Sequence, residues 1–458
     1  MQLKMSRRGF LKSAAASTVY SILPASVLGA NEKINLACIG VGARGGSLAR
    51  SIHATGMTNI TALCDVAMGS KHTSDLEGRF PDVPKFKDFR RMFDNMFDKI
   101  DAVSVGTPDH SHFPICIRAM AEGKHVYVEK PLAHTFREVE LLIEAEKRYG
   151  VVCQMGNQGH SGSNYFQFKS WVEEGIIKDV THVDAYMNRG RPWYSWGDLD
   201  SFKAQPVPEH LDWDGWLAAV PYRPYSRKLH PYNWRGWFEF GNGVFGDWGP
   251  HIIDTIHQFL NLGLPESIEA VKRIRPKEHI FPMGSTVKFN FPSRGKGLCP
   301  MSITWYDGKG NRPPRPKVLE ERRKIEPCGK IIYSKDLIFK GGTHSDTLRI
   351  IPEEKMREMS RKVPRITTKH SNHYENFVLA CKGHEKTRSP FSVAGPLTQV
   401  LLLGVLAQRL GRKLIFDRDT KQITNDKTAN RLLAGPQPRK GWEEFYNLPI
   451  EASISTLK

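Results

Sequence analysis

Short apolar runs alternate with amphipathic stretches along the first third of the chain. Ile34 to Ile39, Ile60 to Cys64, Ala102 to Val105, His125 to Val128 and Val151 to Met155 have the length and apolar density of buried strands. Helical periodicity falls between them, predicting a helix from near Ser47 and others over Phe113 to Glu122 and Thr135 to Tyr149. Strands that alternate with helices in this way predict an α/β domain built on a parallel sheet. Farther on, Val180 to Met187, Ser285 to Phe291 and Met301 to Tyr306 read as strands, and Asp307-Gly308-Lys309-Gly310 as a turn. His373 to Cys381, Leu397 to Leu410 and Asn425 to Leu433 read as helices. The stretch from Asn311 to Lys369, rich in Arg, Lys and Pro, predicts insertion-like loops with a short strand near Ile331, and the tail beyond Asp417 predicts a surface arm.

The first strand runs directly into Gly40-Val41-Gly42-Ala43-Arg44-Gly45, and a helix follows. That context makes a GxGxxG run informative: Gly40 permits the turn, Gly42 admits a pyrophosphate, and Gly45 lets the helix pack closely. Asp65 ends the second strand, where a carboxylate accepts hydrogen bonds from ribose hydroxyls and repels a 2'-phosphate, so NAD is expected rather than NADP. Later strands end in Thr107-Pro108-Asp109-His110-Ser111-His112, in Glu129-Lys130-Pro131 and in Asn157. These polar clusters should line the carboxyl edge of one sheet, where open α/β sheets bind ligands.

Composition narrows the choices. With 458 residues, 40% hydrophobic and 25% charged, the chain can bury more than one core. Its formal charge of +18 is concentrated partly in Arg312 to Arg323 and Lys355 to Lys369. No nucleic-acid-binding signature accompanies these runs, so a solvated basic face is expected and a nucleic-acid partner is not. Cys38, Cys64, Cys116 and Cys153 fall in or beside apolar runs, as small buried hydrophobes do. Residues 1–30 open with Lys4, Arg7, Arg8 and Lys12 and continue with an apolar stretch from Ala14 to Leu28. This pattern is excluded from the fold, and Ser6-Arg7-Arg8-Gly9-Phe10-Leu11-Lys12 resembles a twin-arginine export signal. A periplasmic location is therefore expected, with a retained inner-membrane anchor as the alternative.

Beyond Asn157, aromatic residues cluster between Trp193 and Trp237 among prolines, as in a structured irregular wall. Tyr232, Trp234 and Arg235 are candidate substrate contacts, because aromatic faces suit the C–H faces of sugars and Arg suits acidic groups. Their alternative is ordinary core packing. His160, Arg189 and Arg191 are equally suited to the cleft or the surface.

Three separated features carry a resemblance to the Gfo/Idh/MocA family, the glucose-fructose oxidoreductase and inositol dehydrogenase type: the glycine turn, Glu129-Lys130-Pro131, and Gly246-Asp247-Trp248-Gly249-Pro250-His251-Ile252-Ile253-Asp254. The resemblance spans roughly Ile34 to Asp417 and implies an N-terminal Rossmann domain at 31–157. A substrate and oligomerisation α/β domain follows at 158–417, with an open, largely antiparallel sheet. It carries a basic insertion near 306–369 and helices that pack back on the first domain, and an arm occupies 418–458. By resemblance Lys130 binds the reacting hydroxyl, while Asp247 and His251 complete the catalytic and substrate site. The glycine turn, Asp65, Thr107, Pro108, His110, His112, Glu129, Lys130 and Asn157 hold the cofactor.

The chemistry of these residue types agrees. A histidine near neutrality serves as base, an ammonium stabilises developing negative charge, and an Asp one helical turn before His251 can orient it if Asp247 opens the helix. Asp254 is given no catalytic role. Asp247, His251 and His257 lack a second cluster at ligand spacing, so no metal is expected.

The leading expectation is an exported NAD-dependent oxidoreductase for a sugar, glycoside or polyol. Its cofactor is tightly held, a hydride or electron acceptor completes the cycle, and a homodimer or homotetramer is implied. The alternative is a hydrolase or lyase that uses NAD transiently, and a third class is a ligand-binding protein that kept the fold.

Overall fold

The computed structural model describes residues 33–196, 203–295, 298–364, 366 and 369–447. The export segment expected at the amino end lies outside the described residues.

Six strands form a parallel sheet in the order β3-β2-β1-β4-β5-β6: β1 (Ile34–Ile39), β2 (Thr58–Cys64), β3 (Lys85–Phe86), β4 (Ala102–Val105), β5 (His125–Val128) and β6 (Cys153–Met155). The central strands are mostly apolar because helices cover both faces. Connections are capped by local chemistry. Thr135 and Glu138 make a reciprocal capping box at the start of the Phe136–Tyr149 helix, and Gly150 ends it in the left-handed region. The helix after the glycine turn starts at Ala43, earlier than the sequence pattern predicts. The turn sets that start, although Gly45 and Gly46 are poor helix formers.

A second sheet has nine strands in the order β13-β12-β11-β7-β10-β9-β8-β14-β15. They are β7 (Val180–Met187), β8 (Ser267–Ile274), β9 (Gly284–Phe291), β10 (Met301–Gly308), β11 (Cys328–Ser334), β12 (Ile338–Gly341), β13 (Arg349–Ile351), β14 (Lys413–Asp417) and β15 (Gln422–Ile423). Only β7 and β10 pair in parallel, so the sheet is mixed and largely antiparallel. The Phe391–Leu410 helix is apolar and long enough to span a membrane, yet most of it is buried in this fold. It packs on the Phe136–Tyr149 helix of the first domain and on the Gly243–Ile252 helix, β8 and β9 of the second. One helix thereby fixes the two domains to each other.

Three expectations need correction. The basic stretch holds the short strand expected near Ile331, which is β11 and pairs with β7 deep in the sheet, and where only loops were expected it also supplies β12 and β13. The centre of β11, Ile331 and Ile332, is fully buried. The turn expected from Asp307 begins later, because Asp307 and Gly308 still pair within β10. Asp307 is held inside by Ser285, Trp305 and Gln408, and burial outweighs those hydrogen bonds and raises its pKa to about 6.

The expected surface arm is a strap. Trp442 and Phe445 are buried against Phe89 of the first domain, Tyr446 lies on Phe113, and its hydroxyl donates to Glu138 at 2.6 Å.

Candidate active site

At the carboxyl edge of the parallel sheet lies a cleft that opens to solvent. Its first-domain wall holds Gly40, Gly42, Ala43, Arg44, Asp65, Thr107 and Pro108, and its second-domain wall holds Trp216, Tyr232, Trp234 and Arg235. Asp65 accepts hydrogen bonds from the Val41 and Ala67 amides, each at 2.9 Å, which fixes the carboxylate beside the glycine turn. A side chain at Gly45 would place its Cβ 1.7 Å from the Gly40 carbonyl oxygen, so only glycine permits this approach.

The residues fit a dinucleotide on a second ground as well. Thr107 Oγ1, Glu129 Oε2 and both amide atoms of Asn157 are buried without a hydrogen-bond partner, an expensive arrangement unless a ligand completes it. Glu129 is anchored on its other oxygen by Arg44, whose Nη2 stands 2.7 Å away.

Next to the cleft, Lys130 at the end of β5 meets the Gly243–Ile252 helix. Its Nζ lies 2.5 Å from Asp247 Oδ1, and it also donates to the Asp247 carbonyl at 3.1 Å. Arg191 Nη2 donates to Asp247 Oδ2 at 2.9 Å, while Arg235 Nε stands 3.7 Å from Oδ1 and its Nη1 donates to Asp109 at 3.2 Å. Burial alone would raise the Asp247 pKa. Arg235, Lys130 and Arg191 outweigh it and hold the carboxyl far below the usual range. Asp247 therefore stays ionised as the centre of a three-cation cluster. It lies within its helix and does not open it, which corrects the expected cap, because the helix starts four residues earlier at Gly243.

One turn further, His251 is buried and its Nδ1 has no partner. Burial first, then Lys130 and His344, push its pKa well below the ordinary value, so the ring is neutral and able to accept a proton. His344 stacks on it with ring centroids 3.9 Å apart and planes 16° from parallel.

Some predicted residues take other work. Both ring nitrogens of His110 face the Trp216 and Phe240 carbonyls, and those of His112 face the Thr107 and Pro131 carbonyls. These rings brace the loops of the site and leave no nitrogen for a cofactor, which corrects the assignment of their side chains. Tyr232 lies against His72, hydroxyl to Nδ1 at 3.4 Å. It borders the cleft, beside Trp234 and Arg235. Trp234 lies beneath the Arg235 guanidinium at 4.3 Å, and Arg235 belongs to both cleft and cluster. Sequence reasoning missed His344 and Asp109. Asp254 is buried and pairs with His160 at 3.3 Å, away from the Lys130 cluster. Among the described residues no group of three His, Cys, Asp or Glu side chains stands together as a metal site.

A parallel nucleotide sheet, a glycine turn with Asp65 beside it, and a Lys130–Asp247–His251 cluster define an NAD-binding oxidoreductase fold. Residues 34–157 match the oxidoreductase family's NAD-binding Rossmann fold, and residues 162–277 match its C-terminal alpha/beta domain. The chain thus carries the Gfo/Idh/MocA family fold. Similar chains include a glycosyl hydrolase family 109 protein of Solibacter usitatus, 32% identical over 40% of this chain and 46% of the relative. An alpha-N-acetylgalactosaminidase of Shewanella oneidensis is 28% identical over 39% and 45% of the two chains. An uncharacterized oxidoreductase YdgJ of Escherichia coli is 25% identical over 46% and 49%. The match spans less than half the length of each of these relatives. Among solved structures, the WlbA dehydrogenase of Bordetella pertussis in complex with NADH and UDP-GlcNAcA superposes with a TM-score of 0.57 at 16% identity, covering 84% of this chain and 99% of that one. The aldose-aldose oxidoreductase of Caulobacter crescentus gives 0.56 at 15%, covering 84% and 100%.

Proposed function

We propose that this chain cleaves glycosides by a redox-neutral route that uses a tightly held NAD. The observation that carries the reading is the state of Asp247. Ordinary glycoside hydrolysis needs a pair of carboxyl groups, one of them able to donate a proton. Asp247 is ionised by three cations and cannot donate, and Glu129 is locked to Arg44. Relatives named as family 109 glycosyl hydrolases and as an alpha-N-acetylgalactosaminidase support the same substrate class. Glycosidic cleavage at such a site therefore calls for another way to weaken the bond.

The glycine turn, Asp65 and Asn157 would hold NAD, which would supply a reversible hydride acceptor for oxidising a sugar carbinol to a ketone and reducing it again. Neutral His251 takes the hydroxyl proton, and Lys130 donates to the oxygen and stabilises its developing charge. Asp247 holds Lys130, Arg191 and Arg235 in place. The ketone acidifies the neighbouring C–H. Its loss sends the electron pair into a carbon–carbon double bond and expels the aglycone oxygen with the glycosidic pair, and water then adds to the anomeric carbon.

The second reading, a net sugar or polyol oxidoreductase with a separate hydride acceptor, draws on the same Lys130 and His251 and on the oxidoreductase name of one relative. Incubating the purified holoprotein with nitrophenyl glycosides separates the two. Release of nitrophenol without accumulation of reduced nicotinamide supports cleavage. Accumulation of reduced nicotinamide with a sugar two hydrogens poorer refutes cleavage and establishes the oxidoreductase. Export through the Arg7-Arg8 segment and assembly through the second sheet belong to the proposal. A tagged full-length chain that stays wholly cytoplasmic in a native-like host would refute the first, and a monomer in sedimentation the second.

A further inference from the structure

The chain turns back between β12 and β13 through Gly342-Thr343-His344-Ser345-Asp346, outside both segments that match the family. This loop is built onto the site. The His344 amide donates to the His251 carbonyl at 2.9 Å, and Thr343 Oγ1 donates to the same oxygen at 3.3 Å. Below it, any side chain at Gly159 would come within 2.8 Å of the His344 backbone. His344 is held at φ +54°, an uncommon conformation for a histidine that costs free energy. Nothing in the turn itself calls for an imidazole, since glycine or asparagine would sit there with less strain.

The surroundings set the tautomer. Thr343 Oγ1 spends its hydrogen on the His251 carbonyl and stands 3.0 Å from His344 Nδ1, so Nδ1 carries the proton and donates to Oγ1. Nε2 is left as the proton-accepting nitrogen. Burial and the nearby Lys130 lower the His344 pKa, so the ring is neutral at rest like its partner.

We propose that His344 is a second proton-transfer residue, taking the proton from the carbon beside the one whose hydroxyl meets Lys130 and His251. The inference rests on the cleavage reading. Oxidation and elimination release protons from two neighbouring positions of the sugar. Once His251 has accepted the hydroxyl proton it cannot accept another, whereas the ring stacked on it stands ready. Nε2 of His344 takes the carbon-bound proton, the C–H pair becomes the double bond, and the C–O bond breaks with its pair on the aglycone oxygen. As the oxygen of water adds to the anomeric carbon, His344 returns its proton to the neighbouring carbon from which it was taken, and the double bond is consumed.

The test uses His344→Asn, because asparagine tolerates positive φ and keeps the loop. Holoprotein is incubated in D2O with nitrophenyl N-acetyl-α-galactosaminide, and nitrophenolate release, deuterium bound to carbon in the released sugar and the first-turnover absorbance of reduced nicotinamide are recorded. Wild-type protein is expected to cleave and to place one deuterium beside the oxidised carbon. The variant is expected to lose about 10²- to 10⁴-fold in release, the usual worth of a proton-transfer group, and to lose deuterium incorporation, while the first-turnover absorbance persists. Thr343→Val, which removes the hydroxyl that sets the tautomer, should lower release with nucleotide content unchanged, and serves if the first variant does not fold. Wild-type rates of release and exchange in His344→Asn, or in a folded Thr343→Val should His344→Asn not fold, would overturn the assignment of His344 alone. If the wild-type chain neither cleaves nor exchanges and instead accumulates oxidised sugar, the cleavage reading falls and this role falls with it.

Discussion

Replacing Asp247 with asparagine removes one negative charge from among Lys130, Arg191 and Arg235 and leaves the shape almost unchanged. Two of those cations lie within 2.9 Å of its carboxylate and the third at 3.7 Å. The Lys130 and Asp247 side chains are 13% and 16% exposed, so solvent screens the cluster only weakly. Removing one partner from a buried pair costs about 3–5 kcal/mol, because the remaining charges are stranded. That is a large share of the roughly 5–15 kcal/mol by which domains are stable. The pH dependence has a definite sign. Asp247 has its folded pKa depressed below the unfolded carboxylate value of about 3.9, so its stabilisation is complete above that value and is lost only as pH falls below it. Urea unfolding of wild type and Asp247→Asn should therefore differ by about 3–5 kcal/mol, and by the same amount throughout the neutral and mildly acidic range. A loss below about 1 kcal/mol, the worth of an exposed pair, would refute the account of this cluster.

Acid should unfold the protein early. Burial lowers the pKa of His110, His134 and His257 to about 4 and of His373 to about 3, against about 6.5 unfolded. Their stabilisation is thus full above the unfolded value and lost as pH falls towards the folded ones. At roughly 3 kcal/mol for each such shift, native circular dichroism persisting at pH 4 would contradict the burial of these rings as neutral groups. Gly45→Ala should abolish co-purification of NAD, since its Cβ meets the Gly40 carbonyl oxygen at 1.7 Å; one nucleotide per chain in the variant would show that the turn can relax. Trp442→Ala should cost about 3–5 kcal/mol in urea unfolding, whereas an unchanged midpoint would mean that the strap carries no stability.

The strands that the sequence reveals most faithfully are the ones whose neighbours cover both faces. β1, β4 and β5 are mostly apolar and buried, and their bounds follow their runs of hydrophobic residues. Lys130, Asp247 and His251 were legible because each sits in a compact local motif. β11 was read only as a short strand near Ile331, because Lys330 within it is buried and donates to the Ile252 carbonyl, a tertiary contact that local pattern cannot anticipate. His344 gave no local signal either, as its place depends on a loop folding back across some ninety positions to His251. His110 and His112 misled for the opposite reason: they stand where ligand-binding residues stand, but backbone carbonyls engage both rings. Trp442 and Phe445 were isolated aromatics in a polar tail, and only Phe89 across the fold gives them a core to enter.

The strap also orders events during synthesis. Phe89, Phe113 and Glu138 leave the ribosome long before Trp442, Phe445 and Tyr446, which complete the packing around them. A domain that folds as it emerges would wait here with an unfinished flank until more than three hundred further residues had been added. A chain cut short before the strap would leave Phe89 and Phe113 without these aromatic partners and Glu138 without the Tyr446 hydroxyl.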